Sequence, residues 1–489
     1  MRKNRIYLGI AIVLLIVITA ATKFGGGSDI NDYADSAKFF AEKYDAKIRT
    51  SHSYLYGLIH APFVGLFDSF WIFKITSLIS LLLIVYSVYI ISNKDKRAPW
   101  LMLLSPIVWY MSPWISPIQL ASLLFLWGWY FIKKYDAGKD IKKNILYLLY
   151  SGLLIGLSWA FWDGVLFFIP LLMISFFCDK KLIHTLYYLA FILIGALPRF
   201  ILDQILFGFA FFTVLRHITA SLALTFLGGF YEQGNLSGIG SFILLIIFFP
   251  VFTFILFRKR IFSENKKTAI FILLSIILLI INSQIRFVLL VAPIIILSIN
   301  KYLAKREYLI QIAVSLIIIL AVINPYILQI KYDLGIGEEK GAEFESFARN
   351  FNKIALSNKF ERDIIKEDIN KIAEEYPNQT FVVGNNNDNY RVLANLYWGG
   401  KVKEFVSIED YRLSFEESPT ISKKELCSKV KIKERRDICL SIYIRKAFND
   451  DTEYGSIKYG ISFDDNLKLE GFEFVKKYDK LSVFQKINK

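Results

Sequence analysis

A succession of long apolar segments, which fills the first 330 residues, constrains this chain more than any other feature. Hydrophobic residues make up 55% of the 489 positions, and the mean hydropathy is +0.43. About 20 apolar residues in a helix are enough to cross a bilayer core. The sequence therefore predicts a polytopic α-helical membrane protein with about eleven transmembrane helices, at 6–23, 70–92, 99–112, 117–132, 144–161, 164–178, 183–201, 238–257, 268–283, 286–300 and 308–330.

The distribution of basic residues predicts which side of the membrane each loop occupies. Alternate loops, beginning with residues 1–5, contain 21 Lys and Arg residues, whereas the loops on the opposite side contain 8 when the helix-end residues Arg199 and Arg286 are included. Basic residues concentrate on the cytoplasmic side of membrane proteins. We therefore predict a multi-pass protein of the plasma membrane with a cytoplasmic N-terminus, in which the first apolar segment is a retained signal anchor. An odd number of spans then places the C-terminal region outside the cytoplasm.

The net charge of +15 belongs to the membrane segment alone. Residues 331–489 contain 28 basic and 28 acidic residues, whereas residues 1–330 contain 30 basic and 15 acidic residues. Because this excess lies in short loops between apolar segments, it indicates membrane topology, and we expect no nucleic-acid partner. The change in composition predicts two domains, a transmembrane domain at 1–330 and an extracytoplasmic domain at 331–489.

The C-terminal domain is predicted to combine helices with a small sheet. Charged helical sequence reaches about Glu375, and Gln379–Gly384 has the pattern of a strand. Phe472–Ile487 predicts a terminal hairpin or strand. Cys427 and Cys439 also lie here, and a disulfide between them and two buried thiols are equally compatible with the sequence. The predicted class is an α/β domain.

Two predicted outer loops, 24–69 and 202–237, are too long to be simple turns. Ionisable groups near the hydrocarbon usually pair, line a cavity or carry a function. Carboxylates beside Arg and His suit a reaction in which a carboxylate deprotonates an acceptor while cations hold a phosphate. The predicted outer face carries Asp29, Asp32, Asp35, Arg49, His52, Asp163, Arg199, Asp203, Arg216, His217, Glu232 and Arg286.

Several of these residues also have simpler interpretations. Asp35 has the position of a solvated residue on an amphipathic helix. Asp163, in Trp162-Asp163-Gly164, fits a cap or a turn of a hairpin between two spans. Arg286 begins a late span, where its side chain could snorkel towards the membrane surface.

The first outer loop carries the most specific pattern. Asp29-Ile-Asn-Asp-Tyr-Ala-Asp-Ser-Ala37 resembles the Asp-Glu-x-x-Tyr-Ala-x-x-Ala motif of the GT-C superfamily of polyprenyl-phosphate-sugar-dependent glycosyltransferases. The likeness is to its protein O-mannosyltransferase and aminoarabinose-transferase group. Ile30 replaces the second acid of the motif. By this resemblance Asp29 is the catalytic base, and Asp32 is the nearest candidate for the role of the missing carboxylate.

Three later segments follow in the order of the family pattern. His52-Ser-Tyr-Leu-Tyr56 resembles its Pro-Leu-Tyr segment, without the prolines. Leu197-Pro198-Arg199 with Phe207-Gly208 resembles a Pro…Phe-Gly pattern before the long middle loop. Gln284-Ile-Arg286-Phe287, followed by Pro293, resembles the Arg-Tyr/Phe-x-x-Pro signature, in which Arg286 would contact the lipid phosphate.

The resemblance implies an inverting transfer from a dolichyl- or undecaprenyl-type phosphate sugar to a hydroxyl of a protein, lipid or glycan acceptor on the outer face. Some relatives use a divalent ion held by acidic loops, so Asp29 and Asp32 would hold Mg²⁺ or Mn²⁺ if a metal is used. The substrate-binding residues that it implies are Tyr33, Arg49, His52, Arg199, Arg216, His217 and Arg286.

Three other functions remain open at this point. A transporter or flippase should show internal repeats with Gly- or Pro-broken spans, and the sequence shows none. A non-catalytic membrane scaffold would tolerate replacement of Asp29 and Arg286. An oligosaccharyltransferase should carry a Trp-Trp-Asp-type motif, to which Tyr397-Trp398-Gly399 is the nearest match.

Overall fold

The computed structural model of the chain describes residues 2–21, 29–41, 52–64, 71–137, 141–178, 180, 182–218, 246, 266–281, 285–333, 359–384, 393, 401–408, 411, 456–464, 467, 469 and 471–487. Within these ranges the chain is mainly helical up to Asp333. One further helix and five strands follow. The helices are α1 (Arg2–Ala21), α2 (Asp29–Phe40), α3 (Leu55–His60), α4 (Trp71–Ile91), α5 (Arg97–Leu103), α6 (Pro106–Met111), α7 (Ile118–Ala137), α8 (Ile141–Phe161), α9 (Ile169–Phe177), α10 (Leu182–Phe207), α11 (Lys266–Ile281), α12 (Val288–Ile299), α13 (Lys305–Asp333) and α14 (Lys359–Glu375).

The described residues among the first 330 form an apolar helical assembly, as the sequence predicted. In the described part of the chain, three helical segments are long and apolar enough to cross a membrane: Trp71–Ile91, Asn144–Phe161 and Leu182–Phe207. Shorter apolar helices include Ile6–Ala20 and Val288–Tyr302. Of the predicted span at 238–257 only Ile246 belongs to the described residues, so the number of eleven stays a prediction.

Helix α12 forms the centre of the membrane assembly. From Val288 to Ile296 every residue is buried, so this helix meets other helices on all sides. A helix that is apolar around its whole circumference is suited to such a position. Arg286 lies immediately before α12 in a single 3₁₀ turn, Ile285–Phe287, and is therefore held at the end of the most buried helix.

Helices α8 and α10 pack with their backbones almost in contact. A Cβ atom added to Gly156 of α8 would lie 2.0 Å from the carbonyl oxygen of Ile192 in α10. A Cβ atom added to Gly195 of α10 would lie 2.3 Å from the carbonyl oxygen of Leu153. Small residues allow this close approach between membrane helices. The contact brings the segment after α8 beside the last turns of α10.

Two boundaries differ from the sequence prediction. The predicted span 99–112 is divided into α5 and α6, because Ser105 is extended and Pro106 starts the second helix. The predicted loop 202–237 begins too early, since α10 continues to Phe207. Gly208 then adopts a φ of 70°, which favours glycine, and a further helical turn occupies 212–218.

The C-terminal residues form a five-stranded mixed sheet. Its strands are β1 (Thr380–Val383), β2 (Glu404–Ser407), β3 (Tyr459–Ser462), β4 (Phe472–Lys477) and β5 (Ser482–Lys486). Their order is β2-β1-β3-β5-β4, with β1 parallel to β2 and β3, and β5 antiparallel to β3 and β4. The predicted α/β class and the terminal hairpin are confirmed, whereas β3 was missed.

Helix α14 covers one face of this sheet. Ile365, Ile369 and Ile372 recur at helical spacing on one side of α14 and are almost completely buried. They share a hydrophobic cluster with Phe381 and Val383 of β1. Cys427 and Cys439 lie outside the described residues, so their pairing stays open.

Candidate functional site

A buried ion pair joins the segment after α8 to helix α10. Both Nη1 and Nη2 of Arg199 donate to the carboxylate of Asp163, the second at 3.2 Å. The side chains are 1% and 3% exposed, respectively. Ionised partners make the strongest protein hydrogen bonds, and a planar guanidinium fits both oxygens at once. Asp163 therefore pairs with Arg199 and is more than the cap or turn residue that the sequence suggested.

A second carboxylate supports the same arginine from the other side. Thr213 donates from its backbone N and its Oγ1 to Oδ2 of Asp203, at 2.9 and 2.7 Å. Nε of Arg199 in turn donates to Thr213 Oγ1 at 2.9 Å. Asp203 lies one helical turn beyond Arg199 on α10, while Thr213 belongs to the helical segment 212–218. The chain of contacts fixes this segment against α10.

Two histidines face the Asp163 carboxylate. Nδ1 of His217 lies 3.8 Å from Asp163 Oδ2. The rings of His217 and His52 have centroids 6.1 Å apart. One ligand-type atom from each of these three residues lies within 4.8 Å of the others. The segment before α3, the connection after α8 and the segment after α10 therefore meet at one place.

Helices α2 and α3 form the neighbouring wall of this place. The Tyr33 ring of α2 lies 5.6 Å from the His52 ring and 5.3 Å from the Tyr56 ring, measured between centroids. Gly57 of α3 packs against Ser36 of α2, because a Cβ atom there would lie 2.1 Å from the Ser36 Oγ. The N-terminal half of α2 is thus anchored beside the two histidines.

The structure describes the predicted acidic residues of this helix only in part. Asp29 is the first residue of α2, and Asp32 directly precedes Tyr33. Their backbones belong to the described residues, and their side chains do not. Arg49 lies outside the described residues. The assignments of Asp29, Asp32 and Arg49 therefore stay predictions, although Tyr33 places this part of α2 close to His52.

The remaining predicted cations lie nearby. Arg216 is 4% exposed and directly precedes His217. Arg286 interacts electrostatically with His217. The ring of Phe287, the next residue, lies 4.9 Å from that of Trp162, measured between centroids. The start of α12 therefore borders the Asp163 segment, and two of the predicted outer-face cations, Arg199 and Arg286, meet at His217.

The electrostatic environment keeps His217 largely neutral. Burial of the imidazole in the segment after α10 lowers its pKa, and the Asp163 carboxylate raises it. His52 and the two arginines Arg199 and Arg286 lower the pKa again, so the net value lies below the ordinary one for histidine. A neutral imidazole can accept a proton or bind a cation through a ring nitrogen.

Sequence reasoning assigned no role at this site to two of its members. Thr213 was not singled out, and Asp203 was only one of many outer-face acids. The spacing of Arg199 and Asp203, four residues apart on one apolar helix, was the available signal. Two opposite charges at this spacing in a membrane helix indicate a polar face. Their partner in the segment after α10 could be found only from the fold.

Comparisons with known proteins identify the fold. No protein-family model and no curated protein matches the sequence. The solved structure of ArnT from Cupriavidus metallidurans bound to undecaprenyl phosphate is similar, with a TM-score of 0.59, 11% identity and 98% of each chain covered. Its apo state gives a TM-score of 0.53 and 13% identity, covering 99% of this chain and 98% of that one.

A third similar structure is the apo form of the Archaeoglobus fulgidus oligosaccharyltransferase, with 12% identity, 92% of this chain and 69% of that chain covered. Its TM-score of 0.48 is too low to support an assignment. The likeness to ArnT covers nearly the whole chain in both states, and at 11 to 13% identity it identifies the architecture alone. The chain therefore has the GT-C fold of these ArnT structures.

Proposed function

We propose that this chain is a membrane glycosyltransferase of the GT-C type. It would move a sugar from a polyprenyl-phosphate donor to a hydroxyl group of a protein, lipid or glycan acceptor on the outer face of the plasma membrane. The observation that carries the proposal is the convergence of Arg199 and Arg286 with two histidines at the ends of apolar helices. The ArnT structure bound to undecaprenyl phosphate supports the class of donor.

The charge balance of the site favours a phosphate ligand. Arg199 and Asp163 neutralise each other, and Arg286 adds positive charge beside His217. A phosphate oxygen accepts charge-assisted hydrogen bonds from arginine, and such bonds are stronger where water is excluded. A lipid tail could lie between the spans while its phosphate remains at their ends. A donor with a long apolar tail and an anionic head fits this arrangement.

The proposed reaction is a single displacement with inversion at the anomeric carbon. The acceptor hydroxyl loses its proton to the Asp29 carboxylate, and its oxygen forms a new bond to the anomeric carbon. The bond between that carbon and the phosphate oxygen breaks, and its electron pair stays on the departing polyprenyl phosphate. The cations stabilise the charge that develops on this phosphate. Atoms and charge balance without a further reactant.

Asp29 is proposed as the base because of its place in α2. This helix begins at Asp29, and Tyr33, one turn later, contacts His52 at the site. Asp163 is a poor base by comparison, since both its oxygens already accept hydrogen bonds from Arg199. Asp32 is proposed to assist Asp29, because it follows by three residues on the same helix.

The test is transfer activity of the purified full-length protein with a panel of polyprenyl-phosphate sugars. The parent protein should consume one donor in the presence of acceptor, whereas Asp29→Asn should abolish transfer without changing expression or thermal stability. Asp35→Asn is the matched control on the same helix, and it should retain activity. Full activity in Asp29→Asn would remove the proposed base.

A separate outcome decides the reaction class. If no donor of the panel is consumed but the protein moves a labelled polyprenyl phosphate across vesicle membranes, the chain is a flippase. If neither occurs and Asp29 and Arg286 are freely replaceable in cells, the chain is a non-catalytic scaffold. Either result would overturn the proposed function.

A further inference from the structure

We infer that a lysine cluster at the C-terminal ends of α7 and α12 binds the phosphate headgroup of an anionic phospholipid. Lys133 and Lys134 lie near the end of α7, and Lys301 lies in the 3₁₀ turn Asn300–Tyr302 that follows α12. The 12 residues of α12, about 18 Å of helix, separate this turn from the one that holds Arg286. The lysine cluster is therefore distinct from the candidate functional site.

Packing of α7 against α12 holds these like charges together. Lys301 and Lys134 both act electrostatically on Lys133, and in the described part of the chain they are the charged groups that do so. Partial burial and these two positive neighbours lower the pKa of Lys133. An anion between the lysines would offset this repulsion. A phosphate group, which accepts several charge-assisted hydrogen bonds, is suited to such a position.

Aromatic rings lie under the lysines of α7. Nζ of Lys133 is 5.2 Å from the centre of the Trp129 ring, and Nζ of Lys134 is 5.4 Å from the centre of the Tyr130 ring. Lysine stems that lie along apolar side chains keep their charged ends at the membrane surface. Trp and Tyr are enriched at this depth, where the headgroups of lipids lie. The lysine cluster is therefore placed to meet a lipid headgroup.

An apolar surface continues from the lysine cluster along α7 and α8. The ring centroids of Tyr130 and Phe131 are 5.6 Å apart, and those of Phe131 and Tyr150 of α8 are 5.5 Å apart. Tyr150 is 48% exposed, and Ile145 and Leu146, near the start of α8, are exposed as well. Acyl chains can cover this surface while the headgroup lies on the lysines. A free phosphate ion would gain nothing from it, so the arrangement favours a lipid.

The predicted orientation places this end of α12 at the cytoplasmic leaflet. Basic residues beside a transmembrane helix attract the anionic lipids of that leaflet. A zwitterionic lipid also carries a phosphate, but the cation in its headgroup would meet the positive lysines. We therefore expect selectivity for anionic over zwitterionic lipids. The inference does not depend on the proposed function, because lipid binding is measured without a sugar donor or an acceptor.

The experiment uses the full-length protein in detergent, after removal of bound lipid. Phosphatidylglycerol with a fluorescent label on one acyl chain is titrated, and energy transfer from the tryptophans of the protein reports binding. Unlabelled phosphatidylglycerol, phosphatidylcholine and inorganic phosphate are the competitors, at constant ionic strength. The variants are the double change Lys133→Gln with Lys134→Gln, and Lys301→Gln alone. The charge-matched control is Lys94→Gln with Lys96→Gln, two exposed lysines in the connection between α4 and α5.

Unlabelled phosphatidylglycerol should displace the labelled lipid from the parent at concentrations at least about tenfold below those needed with phosphatidylcholine. The α7 double variant should lose about tenfold or more in affinity and Lys301→Gln about fivefold, since each lysine near the surface attracts the anionic lipid. The control should bind as the parent does. Thermal unfolding identifies the variants that fold, and Lys301→Gln tests the cluster without changing α7.

Three results would overturn the inference. The first is equal displacement by the anionic and the zwitterionic lipid. The second is parent-like affinity in the folded lysine-cluster variants, which would place the bound lipid elsewhere. The third is displacement of the labelled lipid by inorganic phosphate as readily as by phosphatidylglycerol, which would assign the cluster to a free anion.

Discussion

The guanidinium of Arg199 and the carboxylate of Asp163 form a two-pronged ion pair between residues 36 positions apart, and neither side chain is more than 3% exposed. The pair connects the segment after α8 to α10, and these two helices pack in near contact at Gly156 and Gly195. In water such a pair would contribute little. Here, removal of one partner leaves a charge without compensation in an apolar assembly. The pair therefore links the folding of two helices to the charge balance of the site.

The first prediction concerns this pair. Asp163→Asn should lower the free energy of unfolding by about 3–5 kcal/mol, because Arg199 keeps its charge and loses its partner. Asp95→Asn is the control, since Asp95 pairs with Arg97 while the two side chains are 30% and 40% exposed. That variant should lose no more than about 1 kcal/mol. Denaturant titration in detergent measures both, and equal losses would contradict the buried pair.

The second prediction tests the connection from Asp203 to Arg199. Thr213→Val keeps the shape of a fully buried side chain but removes the hydroxyl between Asp203 Oδ2 and Arg199 Nε. Asp203 and Arg199 then each lose one hydrogen bond, and each loss should lower the free energy of unfolding by roughly 1–3 kcal/mol. Thr213→Ser restores the hydroxyl and should recover most of the stability. Similar unfolding curves for Thr213→Val and the parent would show that the hydroxyl bridge is unimportant.

Helix positions could largely be predicted from the sequence, because a transmembrane helix satisfies its own backbone hydrogen bonds and is visible as one apolar segment. The predicted span 70–92 thus corresponds to α4, Trp71–Ile91. Strand β3 was missed, since Tyr459–Ser462 is only four residues long and depends on pairing with β1 and β5. Short strands have little local signal without their neighbours.

The site shows the same limit. The resemblance to the GT-C superfamily is confirmed for the fold. The charged residues of the outer face could be listed from the sequence, but the partner of Asp163 could not be predicted. A carboxylate at a hairpin is already explained as a cap or turn residue, so the sequence gives no reason to look for a distant partner. Only the tertiary contact between α8 and α10 selects Arg199 as that partner. The catalytic role of Asp29 and the lipid-binding role of Arg286 stay predictions.

The third prediction concerns the close contact of α8 with α10. Gly156→Ala places a methyl group 2.0 Å from the backbone oxygen of Ile192, so the two helices must separate. The ends of the helices, which carry the Asp163 segment and Arg199, should separate with them. We expect loss of thermal stability and of transfer activity together.

Gly9→Ala provides the matched control for this substitution. Gly9 lies in α1, and, apart from the nearby backbone of α1 and the two adjacent residues, no atom lies within 4 Å of an added Cβ at this position. The stability of that variant should be unchanged or slightly higher, because alanine favours a helix over glycine by about 1 kcal/mol. Equal thermal stability of Gly156→Ala and Gly9→Ala would refute the tight contact.

The last prediction separates phosphate binding from folding. If Arg286 contacts the donor phosphate, Arg286→Ala should raise the apparent KM for the polyprenyl-phosphate sugar about 10- to 100-fold, which corresponds to the loss of a charged hydrogen bond. Arg286→Lys should restore part of the affinity, because lysine supplies the charge without the planar fork. Arg97→Ala is the control, since Arg97 bonds the Leu303 carbonyl and Asp95 in other loops. Inhibition by added polyprenyl phosphate should weaken in parallel with KM in Arg286→Ala. An unchanged donor KM together with unchanged product inhibition would remove Arg286 from the phosphate site and leave Arg199 and Arg216 as its cations.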